Sequence, residues 1–152
     1  MMKIRDLVNE KGNRVYAVPG NMILSEATQV MAEKNIGALI VVNEDKTIGV
    51  FTERDVLKQV AADADMDAKS VSEVVTTDIF IAQAEDDLEY AMTIMIQKNI
   101  RHLPVLDDGK LVGVLSMRDV VKVQVKSLEA EVRYMKDFLA GGEAQNALSD
   151  MW

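Results

Sequence analysis

The sequence predicts an α/β protein of the α+β kind: two β-α-β-β-α repeats packed sheet to sheet with pseudo-twofold symmetry, followed by a C-terminal helix. Three observations carry this. The stretch GVFTERDV that begins at Gly49 returns as GVLSMRDV from Gly113, 64 positions later. At that offset Leu24 aligns with Leu88, Ala27 with Ala91, Met31 with Met95, and KNI at 34–36 with KNI at 98–100, without a gap as far as Lys58 and Lys122. Within each copy, the apolar spacing passes through strand and helix periods in the same order.

RVYAV and DIFIA open the copies as short β-rich pieces. In the segments that follow, Leu24, Ala27 and Met31, or Leu88, Ala91 and Met95, recur at i, i+3 and i+7, which is one face of a helix. The methionines on that stripe read as core filler. Two apolar runs come next in each copy, ALIVV with TIGVF and LPVL with LVGVL. NEDK and DDGK divide them, and polar turn residues between apolar runs predict hairpins. Pro104 inside its run argues for an edge or interrupted strand, because it has no N–H for a ladder. A second helix opens at TERDVLKQV or SMRDVVKVQV.

One such unit is too small to cover both faces of a three-stranded sheet, so two copies are expected to share a core. The expected division is a pair over 1–124, with repeat one at about 4–60, a linker AADADMDAKS at 61–70 and repeat two at about 71–124. Beyond it Val121, Val125, Leu128, Val132, Met135 and Leu139 form a heptad seam. This predicts a helix over 125–140 that stops at Gly141 and Gly142, with a tail at 141–152 of no assigned role. The seam reads either as a helix lying on its own module or as a subunit contact, and a homodimer is the expectation.

Composition narrows the function. The chain of 152 residues has 49% hydrophobic and 28% charged residues, as globular domains do. Its net charge of −8 and few aromatics disfavour nucleic acid, which is held by Lys, Arg and stacking rings. Cysteine is absent and His102 is the one histidine, so thiolate chemistry is excluded and zinc would have a single imidazole. No GxSxG elbow accompanies His102, and no nucleophile–base pair is evident, so an enzyme is not expected. No apolar run approaches the roughly 18–20 residues of a membrane span, and the N-terminus lacks a signal-peptide core. A cytoplasmic protein that meets neither membrane nor nucleic acid, and needs no metal or cofactor, is expected.

The repeated stretch has two readings. Thr52 or Ser116, followed three residues later by Asp55 or Asp119, is close to a capping box for a helix start. The same residues also make a ribose-phosphate clamp. A glycine three residues before the hydroxyl lets a ligand approach, and a helix N-terminus after a strand offers free N–H groups to a phosphate. Thr52 or Ser116 can donate to phosphate oxygens and Arg54 or Arg118 adds positive charge. The Asp carboxylate suits the vicinal hydroxyls of a ribose. Arg54 and Arg118 also read as solvated surface charges, and His102 beside Arg101 as either a core residue or a phosphate contact.

The patterns GVFTERD and GVLSMRD, together with NIRHLPVLDDGKLVGVLSMRDV, resemble the nucleotide motif of cystathionine-β-synthase (CBS) domains. The resemblance covers roughly residues 4–124, as two repeats forming one Bateman module. It implies clefts between repeats that bind adenosyl ligands: AMP foremost, with ADP, ATP, NAD or S-adenosylmethionine as alternatives. It implies ribose binding by Asp55 and Asp119 and a phosphate near Thr52 and Ser116; Arg54, Arg118, Arg101 and His102 are the charged side chains expected to join in phosphate binding. Adenine would be gripped from the other repeat. Asp119 and Ser116 would work with Tyr16, Ala17, Gly37, Ala38 and Leu39. Asp55 and Thr52 would work with Ile79, Phe80, Ile81, Leu103 and Pro104 beside Arg101 and His102. NIGALIV lacks the Arg-His pair and proline of NIRHLPV, so the two clefts are not expected to be equal.

The expected function is a non-catalytic regulatory module that binds an adenine nucleotide and signals to an unidentified regulated protein by a conformational or dimer-state shift. The alternative is a protein-interaction scaffold with vestigial clefts, in which the boxes only cap helices.

Overall fold

The computed structural model describes residues 2–12, 15–44, 46–75 and 79–151, with side chains as far as 141. The chain divides into two compact units, Met1–Ser116 and Met117–Trp152.

In the first unit the helix α1 (Ile4–Lys11) precedes the first repeat, made of β1 (Ala17–Pro19), α2 (Leu24–Lys34), β2 (Ala38–Asn43), β3 (Lys46–Thr52) and α3 (Glu53–Ala61). A short helix α4 (Val71–Val74) precedes β4 (Ala82–Gln83), α5 (Leu88–Lys98), β5 (His102–Asp107) and β6 (Lys110–Ser116). The sheets have the same order, β1-β2-β3 and β4-β5-β6, each with a parallel then an antiparallel pair.

Helices α2 and α5 bury the predicted stripes, Leu24, Ala27 and Met31 in one and Leu88, Ala91 and Met95 in the other. The repeated KNI ends both. Asn35 and Asn99 take φ of 53°, a left-handed conformation that asparagine tolerates. The next amides, Ile36 and Ile100, reach back to Met31 O at 3.0 Å and Met95 O at 3.1 Å, the closing bond of a Schellman turn. The hairpin β5–β6 turns on Asp108 and Gly109, both at positive φ as a two-residue I′ turn requires. Asp45 of the other hairpin lies outside the described residues.

Leu39, Val41 and Phe51 face α2 and are fully buried with it. Ile40, on the opposite face of the same sheet, is equally buried. A sheet with one solvated face would leave that row exposed. The two sheets therefore cover each other, as the repeat predicts.

The β-rich openings are shorter than predicted. Strands start at Ala17 and Ala82, and Tyr16 and residues 79–81 lie in irregular chain just before them. Arg14 and Asp78, at the head of each piece, lie outside the described residues. Pro104 sits in the central strand of its sheet, not at an edge, and the ladder is interrupted on the β4 side.

Each repeat also borrows the segment that precedes the other. Ile4 N donates to Asp86 O at 3.0 Å, Arg5 N to Ala84 O at 2.9 Å, and Leu88 N to Met2 O at 3.0 Å. Lys3 pairs with Asp87 at 2.8 Å, and Arg5 with Asp107 at 2.6 Å and with Glu85. The Arg5 guanidinium holds the Asp107 carboxyl below its usual range. Val8 packs so close to Gly113 that a Cβ there would lie 2.8 Å from Val8 Cγ1. Reciprocally, Ser25 N donates to Met66 O at 2.8 Å and Ser72 N to Gly20 O at 2.9 Å, while Val71 enters the first repeat's core. The stretch read as a linker at 61–70 is thus bonded into repeat one over its last residues.

The second unit is the helix α6 (Met117–Met151), 35 residues and about 52 Å long at 1.5 Å per residue. It passes through Gly141 and Gly142, where the sequence predicts a stop. A glycine ends a helix by turning left-handed, and Gly141 does not take a positive φ. With no proline after it, the helix continues at a cost of about 1 kcal/mol per glycine relative to alanine. The expected tail from 141 is helical backbone.

Candidate functional site

The turn from β3 into α3 is a full capping box. Thr52 Oγ1 accepts from Asp55 N at 3.4 Å, and Asp55 Oδ2 accepts from Thr52 N at 2.8 Å and from Thr52 Oγ1 at 3.1 Å. The structural reading of TERD is therefore correct as geometry. It uses only one carboxylate oxygen. Among the described residues Oδ1 of Asp55 has no hydrogen bond, and the half-buried carboxylate borders open space.

That space is a cavity of about 640 Å³ between the repeats, within the range that holds a nucleotide-sized ligand. The first repeat supplies Gly37, Val50, Thr52, Glu53, Arg54, Asp55, Leu57 and Lys58 to its wall. The second supplies Ile79, Phe80, Lys98, Asn99, Ile100, Arg101, His102 and Pro104. Arg54, Lys58, Lys98 and Arg101 face it against Glu53 and Asp55, in a chain whose net charge is −8. A cleft so lined concentrates anions despite the acidity of the whole molecule.

Gly37 is a point of close approach between the two repeats. Its carbonyl accepts from Glu53 N at 3.1 Å, tying α3 to the loop before β2. A Cβ at Gly37 would stand 3.0 Å from Glu53 Oε1 and 3.3 Å from His102 Nε2, so the imidazole of one repeat lies on the bare backbone of the other. On the opposite wall Lys98 Nζ sits 5.5 Å from the centre of the Phe80 ring. The same pair occurs in repeat one, where Lys34 lies 5.8 Å from the Tyr16 ring. Both are within cation–π distance.

The cavity thus brings together Asp55, Thr52, Arg101, His102, Ile79, Phe80 and Pro104, which the resemblance assigns to one cleft, and Arg54, read from the repeated stretch itself. Leu103 does not line it. Leu103 is fully buried, as is Leu39 in repeat one, and neither side chain reaches solvent. Ile81 is exposed outside it. Gly37, grouped by the resemblance with Asp119 and Ser116, lines the Asp55 cavity instead.

Of the other set, Ser116 pairs across its hairpin with His102, and Arg118 and Asp119 lie in the first turn of α6. Tyr16 and Ala38 are half-buried and Ala17 is exposed at the head of β1. Sequence reasoning missed Lys58 and Lys98 as site residues. The signal was present, because both belong to lysines written twice at the 64-residue offset, as Lys58 with Lys122 and Lys34 with Lys98. Among the described residues no group of His, Asp and Glu is arranged to hold a metal, and no helix is long and apolar enough to cross a membrane.

Comparison with known proteins agrees with this architecture. The CBS domain family matches twice, over residues 4–62 and 71–126. The chain is 34% identical over 111 residues to an uncharacterized 17.7 kDa protein of Acidianus ambivalens, covering 72% of this chain and 66% of that one. It thus spans just under two thirds of that relative's length. Among solved structures, the CBS domain NE2398 superposes with a TM-score of 0.79 at 36% identity, covering 82% of this chain and 99% of that one. The CBS domain protein PAE2072 of Pyrobaculum aerophilum, solved in complex with AMP, gives a TM-score of 0.70 at 27% identity over 78% of this chain and 89% of that one. Matched in both repeats by profile and by structure, this chain belongs to the CBS domain family and carries two of its domains.

Proposed function

We propose that the chain is a regulatory module without catalytic activity, which binds an adenine nucleotide in the Asp55 cavity and reports its occupancy through a homodimer in the cytoplasm. The observation that carries this is the half-used carboxylate. Asp55 is held rigidly by its cap through Oδ2 while Oδ1 borders a cleft walled by four cationic side chains. A carboxylate so fixed is pre-organised for ribose hydroxyls, and hydrogen bonds to a charged group contribute about 1.5–3 kcal/mol each. In this reading Arg54, Lys58, Lys98, Arg101 and His102 meet the phosphates, Thr52 joins them by releasing its hydroxyl proton from Asp55 Oδ2, and the backbone of Ile79 and Phe80 meets the base. The relative solved with AMP supports adenine as the base; AMP is the first candidate, ahead of ADP, ATP, NAD and S-adenosylmethionine.

In this reading the Asp55 cleft is the stronger of the two that the repeat suggests. Gly37 and Ala38 stand where Arg101 and His102 stand in the other repeat. Ligand that favours one arrangement of the repeats shifts the population of dimer states, which is the whole of the mechanism required.

The scaffold alternative draws on the same capping box, since Asp55 does cap α3. Thermal melts with AMP, ADP, ATP, NAD and S-adenosylmethionine, followed by titration of Asp55→Ala, separate the two. A ligand at about 100 times its dissociation constant adds roughly 2.7 kcal/mol, and the variant is expected to weaken binding at least about tenfold. If no ligand of the panel moves the melt, the scaffold reading stands.

A further inference from the structure

Helix α6 carries an apolar stripe that its own unit leaves uncovered. Val121, Val125, Leu128, Val132, Met135 and Leu139 remain between 46% and 66% exposed. They alternate at spacings of four and three over 19 residues, a seam of about 28 Å at 1.5 Å per residue. Arg133 and Asp137 pair with each other at 3.8 Å on the outer face. A helix polar on one side and apolar along a heptad line is stable when the line is covered by a matching one.

We propose that the seam is covered by the same helix of a second copy, in a parallel, in-register, two-stranded coiled coil. This deepens the dimeric reading above and rests on it. Two features select the partner and its direction. The a positions hold Val125, Val132 and Leu139, and the d positions Val121, Leu128 and Met135. Valine at two of the three a positions, with leucine at the d position between them, suits two strands.

Charge then decides direction. In the parallel register Glu131 at g faces the partner's Lys136 at e, and the pair forms twice. An antiparallel pairing that overlaps the whole seam brings like charges nearest: Glu131 against the partner's Glu131, Glu129 against the partner's Glu129, and Lys122 against the partner's Lys136. Opposite charges at these flanks set orientation, and like charges oppose it.

The chain contains no cysteine, which makes the direction directly readable. Val125→Cys and Leu139→Cys, made singly, are each expected to oxidise to a disulfide-linked dimer. In the antiparallel arrangement the two copies of position 125 lie about 15 Å apart along the axis and those of position 139 about 27 Å, at 1.5 Å per residue, and neither single variant links. Val132→Glu with Met135→Glu is expected to sediment as a monomer at concentrations where the parent is a dimer, while keeping the parent's thermal shift with AMP. A parent that is monomeric throughout dilution, single-cysteine variants that fail to link, or a glutamate variant that stays dimeric would each overturn the proposal. Single-cysteine variants that link, beside a parent that shows no thermal shift with AMP, would instead overturn nucleotide sensing and leave the coiled coil standing.

Discussion

The backbone amide of Ile40 donates to the carbonyl of Tyr16 over 3.0 Å, and the residues in the same places of the second repeat, Pro104 and Phe80, cannot form that bond. Proline has no N–H, so among the described residues Phe80 O has no hydrogen bond, and β4 starts only at Ala82. Both residues line the cavity. The missing rung leaves backbone polar groups facing a cleft, where a purine edge can use them. Pro104→Ile restores the donor, and the rung is expected to close. A backbone hydrogen bond nets about 0.5–1.5 kcal/mol, so stability should hold or rise while AMP affinity falls roughly two- to tenfold. Titration beside a melt checks this; unchanged affinity would remove Phe80 O from the site.

Asp55 closes the capping box of α3 and, in the proposed function, also holds the ribose, and one substitution can separate the two. Asn in its place keeps an oxygen able to accept from Thr52 N but loses the charge. Asp55→Asn is expected to stay close to the parent in apo stability, because its amide oxygen can still close the N3 arm of the box, whereas Asp55→Ala loses that arm and is less stable. Both should lose nucleotide affinity, the alanine variant by about tenfold or more. Should the asparagine variant bind as tightly as the parent, charge on Asp55 is irrelevant to the ligand and the residue is a cap alone.

These residues show what could be read from the sequence and what could not. The offset of 64 made the two sheets and the helical stripes legible, because a duplicated core must bury equivalent positions, whereas the grouping of Asp55 with residues of the other repeat came from the family resemblance. KNI was visible as a repeat, although its role as a Schellman turn depends on the left-handed asparagine. The exchange of α1 and residues 66–75 between repeats was not legible. Each stretch carries too few apolar residues to name its partner, and polar groups such as Arg5 and Asp107 make the match. Lysines of the cleft were passed over because one surface lysine reads like another until Phe80 is seen under Lys98. The glycine pair in α6 misled, since Gly141 carries the signal for a stop without the backbone turn that makes one.

Gly37 meets the other repeat at a place that leaves little room for a side chain. Gly37→Ala sets a methyl 3.3 Å from His102 Nε2 and 3.0 Å from Glu53 Oε1. Both are ends of flexible side chains, so the fold should tolerate the change. The imidazole must swing, however, and with it one wall of the cleft. The expected result is a melt close to that of the parent with weaker AMP binding, and Gly37→Val should weaken it further. A variant that binds AMP as the parent does would show that His102 has no part in the site.

The docking of α1 on the second repeat is expected to weaken in acid. Asp107 has its carboxyl lowered, first by its hydrogen bond from Arg5, and that guanidinium is held charged by Asp107 and then Glu85. A carboxyl lowered by folding adds stability above its unfolded pKa and loses it as pH falls through the folded value. The loss therefore belongs below the usual carboxylate range, not near neutrality. Arg5→Gln removes the partner. Its melting temperature should lie below the parent's at neutral pH, and the gap should close as Asp107 becomes protonated. Gly113→Ala supplies the steric counterpart, since its methyl would stand 2.8 Å from Val8 Cγ1 and press α1 off β6 at any pH. Hydrogen exchange at Ile4 and Arg5, whose amides bond to Asp86 O and Ala84 O, reads the undocking directly. If the gap between Arg5→Gln and the parent stays constant down the acid range, the ion pair is not what holds the helix, and the Val8–Gly113 contact carries the docking.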